Sequence, residues 1–141
     1  MSLKKTLLYF ILGLVVISFN SCGKDENETA IPYVYVDFLI YPNTLDYIAD
    51  GQWAYFSGGY KGIIIYRPMN DQFMAYERAC PFDPLVEGAR VEVESSGIIA
   101  IDSVCGSRFL LTDGTPIAGP AGIPLKQYRT SYDGYVLRVF N

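Results

Sequence analysis

From Tyr33 to Phe140 the chain is a succession of short runs, each closed by a turn signal, and no stretch repeats its apolar residues every 3.6 positions. That pattern predicts paired strands and little helix. Tyr33–Ile40 is β-branched and aromatic and lies between Pro32 and Pro42. Leu45, Tyr47 and Ile48 lead to the Asp50-Gly51 turn, and Trp53–Phe56 is a short run before Gly58-Gly59. Gly62–Arg67 is almost continuously apolar, as a strand covered on both faces must be. Met69–Gln72 then turns the chain into Phe73–Tyr76. Val91–Glu94 alternates apolar and acidic, which sets Glu92 and Glu94 on one solvated face. Ser95–Gly97 leads into Ile98–Ile101, a buried run that delivers Asp102. Phe109–Leu111, Asp113-Gly114 and Thr115–Ile117 read as a hairpin. Gln127–Ser131, Asp133-Gly134 and Tyr135–Phe140 read as another. The expectation is an all-β domain over 33–141.

The amino terminus has a different character. Lys4 and Lys5 precede Leu7–Phe19, an apolar run too short for the ~20 residues of a membrane span. The run ends in Phe19-Asn20-Ser21-Cys22, which resembles a bacterial lipobox. That resemblance implies a signal peptide over 1–21 and lipid on Cys22. The charged residues Lys24 to Glu28 make 22–32 a flexible tether. The Lys-Asp-Glu run is also similar to short acidic signals for outer-membrane lipoproteins, which implies a lipid-anchored place in the bacterial envelope. Without Lys4 and Lys5 the chain keeps nine basic residues against fifteen acidic ones, a net charge of −6. It has no basic stripe, so nucleic acid is not an expected partner. The membrane, through the lipid, is.

Three segments carry most of the information: Arg78-Ala-Cys80-Pro-Phe82-Asp, Asp102-Ser-Val-Cys105-Gly-Ser-Arg-Phe109, and Gly119-Pro-Ala-Gly-Ile-Pro-Leu125. They resemble the three cluster-covering loops of the Rieske iron–sulfur family. The Gly62–Arg67 strand and the hairpin after it are also similar to that family. The resemblance implies stacked antiparallel sheets with a small loop subdomain. In the family, two cysteines hold one iron and two histidines the other. This chain has no histidine. Cys80 matches a family cysteine, and Phe82 stands where a histidine should. The Gly106-Ser107-Arg108-Phe109 run sets Cys105 on the other histidine position and Asp102 on the other cysteine position. A rival register sets Cys105 on the cysteine and Arg108 on the histidine. Either way the cluster-ligand positions Cys80, Phe82, Asp102 and Cys105 are degenerate.

With loops placed as in the family, Cys80 and Cys105 face each other and are expected to form a disulfide worth roughly 3 kcal/mol. Cys22 is then the odd cysteine, which acylation accounts for. Phe82 is expected to fill the volume of the lost cluster, Asp102 to cap its loop or pair with Arg78 or Arg108, and Ser107 to bond its own loop backbone. No cofactor and no metal are expected, with a 2Fe-2S cluster as the alternative. Serine–histidine and cysteine–histidine nucleophiles are excluded, so no catalytic residue is assigned. The wide separation of Cys80 and Cys105 argues against thiol exchange. The functional expectation is a cluster-free envelope lipoprotein acting as a structural or binding module for a protein or small-molecule partner. Its alternative is electron transfer through a retained or atypical iron–sulfur cluster.

Overall fold

The computed structural model describes residues 31–141. The expected signal peptide, the Cys22 lipid site and most of the 22–32 tether lie outside them. The described residues contain ten strands and no helix. The strands are β1 (Asp37–Ile40), β2 (Gln52–Phe56), β3 (Ile63–Arg67), β4 (Met74–Glu77), β5 (Val91–Val93), β6 (Ile99–Asp102), β7 (Arg108–Leu110), β8 (Pro116–Ala118), β9 (Gln127–Tyr132) and β10 (Leu137–Phe140). All pairings are antiparallel. Six strands form one sheet in the order β1-β10-β9-β4-β3-β2, and β5-β6-β7-β8 form a second. The second sheet is thus an insertion between the neighbours β4 and β9.

Strand alternation divides the interior. Ile63 and Ile65 of β3 point into a core with Ala75, Leu137 and Val139, whereas Ile64 and Tyr66 point the other way. That other side packs with Tyr76, Val91, Phe109 and Leu111, which joins the small sheet to the large one. Successive side chains on a strand face opposite sides, so one apolar run serves both cores. This is the doubly covered strand predicted from the Gly62–Arg67 run.

The join is reinforced at the end of β4. Glu77 is fully buried. Its carboxylate accepts hydrogen bonds from the backbone N–H of Tyr60 (2.7 Å), Lys61 (2.9 Å) and Ala79 (3.1 Å), and from the Tyr128 hydroxyl (2.7 Å). The turn that delivers two of those donors passes so close that a Cβ at Gly59 would sit 2.4 Å from a Glu77 oxygen. Glu77 therefore ties the β2–β3 turn and β9 to the strand that leads into the first loop.

Candidate metal centre at the loop tips

The first loop leaves β4 through Ala79, which bridges to Arg90, and turns at Cys80–Asp83. The second connects β6 to β7 and starts at Asp102. Asp102 Oδ1 accepts from the N–H of Val104 (2.7 Å) and Cys105 (3.4 Å), and the Gly106 N–H bonds the Asp102 carbonyl (2.8 Å). Asp102 thus caps its own loop, as one of the two sequence-based alternatives held. It pairs with neither arginine. Arg108 forms a two-pronged ion pair with Glu94 (3.0 and 2.7 Å), and Arg78 lies 3.7 Å from the centre of the Tyr55 ring. Arg108 is a β7 residue committed elsewhere, so the register that made it a ligand position loses its second residue. Glu92 and Glu94 serve as ion-pair partners on the β5 face, Glu92 with Arg90 at 3.1 Å.

The third loop closes over the second. The Ala121 N–H donates to Ser107 Oγ at 3.1 Å, and a Cβ at Gly119 would lie 2.5 Å from the Ser107 Cα. With φ at +86°, Gly119 also needs a conformation that side chains disfavour. Ser107 was expected to bond its own loop. It is fully buried and accepts from the backbone of the third loop instead. Its hydroxyl also accepts from the Cys105 thiol at 3.1 Å.

The two loop cysteines meet, but not as the expected disulfide. Cys80 and Cys105 are free thiols with sulfurs 3.5 Å apart, whereas a bond needs about 2.05 Å. Burial pushes the Cys80 thiol well above the ordinary range, the Cys105 sulfur adds to the rise, and the Phe82 N–H opposes it. Phe82 does not fill a vacated volume. It is 47% exposed, whereas its neighbour Asp83 turns toward the two sulfurs.

One member of the cluster was missed by sequence reasoning. Asp83 joins Cys80, Asp102 and Cys105, and a ligand atom from each lies within 4.8 Å of all the others. The signal was present: Cys80-x2-Asp83 and Asp102-x2-Cys105 are the same spacing in opposite order. Each loop therefore presents one thiol and one carboxylate. Two of the oxygens, Asp83 Oδ1 and Asp102 Oδ2, are buried with no hydrogen-bond partner.

A surface hollow of about 740 Å³ flanks the first loop, lined by Tyr60, Lys61, Val86, Arg90 and Glu92 among others. Three of its charged side chains are already engaged: Lys61 with the Val86 and Ala89 carbonyls, both at 2.7 Å, and Arg90 with Glu92. The chemistry is concentrated at the thiols and not in this hollow.

No protein-family model matches the chain. No curated protein matches it either. Several solved structures are similar, among them two from carbazole 1,9a-dioxygenase. One is the ferredoxin of carbazole 1,9a-dioxygenase from Nocardioides aromaticivorans IC177, at 20% identity and a TM-score of 0.48, covering 72% of this chain and 95% of that one. The other is a chain of the complex of reduced oxygenase and oxidized ferredoxin in carbazole 1,9a-dioxygenase. It is 18% identical with a TM-score of 0.51, covering 74% of this chain and 93% of that one. With the strand order and the three-loop subdomain, the second likeness defines an all-β, Rieske-like fold.

The residues do not fit the family's cluster. The iron held by two imidazoles has no such donor in a chain without histidine, and the exposed Phe82 ring offers no lone pair. A two-iron cluster also needs room for two metals and two bridging sulfides, and here all four donors lie within 4.8 Å of one another.

Proposed function

We propose that this protein is a Rieske-fold electron-transfer module, tethered to the bacterial envelope, that works through a thiolate-bearing centre at its loop tips. The observation that carries this reading is the convergence of Cys80 and Cys105 from separate loops to 3.5 Å. Thiolates suit iron and other soft metals. Exposed apolar side chains stand on all three loops: Phe82 and Val86 on the first, Val104 on the second, Ile123 on the third. They supply a docking face for a protein partner. Support for a partner of that kind comes from the similar structure of an oxygenase in complex with a ferredoxin. The anchor in this reading is lipid on Cys22 after removal of 1–21, with 22–32 as the tether, 33–141 as the domain and the outer membrane as the site. Acyl chains on a Cys22 peptide by mass spectrometry, and their loss with membrane association in Cys22→Ala, test that part.

The electron-transfer reading predicts iron in protein purified anaerobically from native membranes, visible absorption, and a paramagnetic signal that appears and disappears reversibly with redox titration. A colourless, iron-free protein from that preparation overturns it. One observation favours a second reading. Phe82 replaces a ligand in a chain that lacks histidine altogether, as in a cluster-free binding module. Closure of Cys80 and Cys105 into a disulfide belongs to that reading, and a thiol count on the same sample distinguishes the two.

A further inference from the structure

We infer that Cys80, Asp83, Asp102 and Cys105 form a binding site for a single tetrahedral transition-metal ion, of the iron(II) or zinc(II) class. This deepens the electron-transfer reading, and its redox consequence rests on that reading; the site itself does not.

Four features point to one ion. The first is donor number: closed metal sites hold four protein ligands, and four are present. The second is size. Metal–sulfur bonds of about 2.3 Å set two thiolates on one tetrahedral ion about 3.8 Å apart, close to the 3.5 Å between these sulfurs. The mutual span of 4.8 Å for all four donors fits the same single centre. The third is the unused acceptors. Asp102 is fully buried, spends Oδ1 on its loop and leaves Oδ2 without a partner, and Asp83 leaves Oδ1 likewise. Buried polar atoms are almost always paired, and two unpaired carboxylate oxygens beside two thiols are the arrangement a cation completes. The fourth is orientation. The Val104 and Cys105 N–H groups fix Asp102, and Ser107 fixes the Cys105 sulfur, so outer partners already aim the ligands.

Charge and protons balance. Binding expels the two thiol protons to solvent and leaves M²⁺ with two thiolates and two carboxylates, a net charge of −2, the same as a four-cysteine zinc site. The set differs from the family's cluster, since Asp83 has no counterpart among the cluster-ligand positions and Phe82 takes no part.

The test uses the full chain in detergent, purified anaerobically, stripped with chelator and titrated with Co²⁺ as the probe. The expected result is an end point at one equivalent with thiolate-to-cobalt charge-transfer bands and the visible bands of tetrahedral cobalt. Asp83→Asn and Asp102→Asn should each weaken binding by more than the ~10–100-fold that loss of an outer-shell partner costs. Cys105→Ser should cut the charge-transfer intensity roughly in half, and serine at both Cys80 and Cys105 should abolish it. Asp83 is partly exposed on a loop, so its variant keeps the question open should the Asp102 variant misfold; circular dichroism reports that. Cobalt bands insensitive to both aspartate substitutions overturn the inference, as does a native Cys80–Cys105 disulfide or a chain with free thiols that binds no cobalt. Metal analysis of the unstripped protein separates the two claims. Stoichiometric zinc keeps the site and removes electron transfer, because zinc has no redox chemistry. Iron with inorganic sulfide and no single-ion site does the reverse.

Discussion

Replacing Glu77 by glutamine tests whether one buried carboxylate holds the approach to the first loop. The side chain stays nearly isosteric, but one acceptor oxygen becomes an NH2 donor. Placed at Oε1, that amide would face the Lys61 and Ala79 N–H groups, orphaning both. Placed at Oε2, it would face Tyr60 N–H and the Tyr128 hydroxyl. A hydroxyl can rotate to accept; a backbone N–H cannot. The amide therefore settles at Oε2 and the part-buried Tyr60 N–H is left unpaired, at about 1–3 kcal/mol. The bonds that survive become neutral ones, which are weaker than bonds to a carboxylate and remove about another 1 kcal/mol. The expected loss is about 3 kcal/mol.

Urea denaturation of wild type and variant measures it. The midpoint should fall at unchanged slope, and the melting temperature should drop by roughly 10 °C or more for a domain of this size. A second readout is local. Ala79 is the residue before Cys80, so the variant should expose the buried thiol more often and speed its reaction with a thiol reagent. Tyr128→Phe removes one hydrogen bond to the carboxylate and should cost about 1.5–3 kcal/mol. A Glu77→Gln loss below about 1 kcal/mol, with Cys80 reactivity unchanged, would refute the reasoning, since two of the four donors are backbone groups in the adjoining turn.

Other outcomes follow from the same geometry. Gly119→Ala should cost about 3 kcal/mol or more, because the Cβ must displace Ser107 backbone at a φ of +86°; faster amide exchange at Ala121 would report the displaced third loop. Tyr76→Phe should be neutral or stabilising by about 1 kcal/mol, since the buried Tyr76 hydroxyl has no partner to lose; a clear destabilisation in urea would show a hidden bond. Burial raises the Tyr76 phenol, helped by Asp113, and burial with the Glu77 carboxylate raises the Tyr128 phenol. The folded state thus favours both neutral phenols. Stability linked to them is intact below the ordinary tyrosine pKa of about 10 and is lost as pH rises beyond it. Phenolate absorbance should show two tyrosines ionising only together with alkaline unfolding, and a smooth titration of all tyrosines in the folded protein would contradict this.

Much of the fold was legible because period-two patterning and turn chemistry are local. Ile63–Arg67 could be read as doubly covered from composition alone, and the Asp113-Gly114 and Asp133-Gly134 hairpins lie where their turns demanded. The first strand was overread. Tyr33–Ile40 has β propensity throughout, yet pairing begins at Asp37, which faces Phe140 of β10. Asn141 then takes over by bonding the Val36 N–H with its side chain. At the site, loop spacing was enough to bring Cys80 and Cys105 together. It was not enough to say which side chains point inward: Phe82 turns out and its neighbour Asp83 turns in. Glu77 was invisible for a different reason. Its donors lie 16 and 17 residues before it, 2 after and 51 after, and no local pattern encodes such a hub.

The contacts within and around the three loops bear on what a metal would do for folding. Asp102 with its two N–H donors, Ser107 with Ala121, Gly119 against Ser107, and the Leu125 N–H on the Gly114 carbonyl (3.0 Å) are all protein-to-protein. Loops held this way do not need an ion to nucleate them. The chain should therefore differ from a zinc finger, which folds only with its metal. Chelator-treated protein should keep its β spectrum and a cooperative melt. Added metal should raise stability only by mass action, about 2.7 kcal/mol when free metal exceeds the dissociation constant a hundredfold. Asp83→Asn should erase most of that gain while changing the metal-free melt little, because Asp83 Oδ1 makes no bond that the substitution could break. Collapse of the β spectrum on chelation would place the ion among the elements that build the fold, and the preorganised loops described above could not then be the reason the four donors converge.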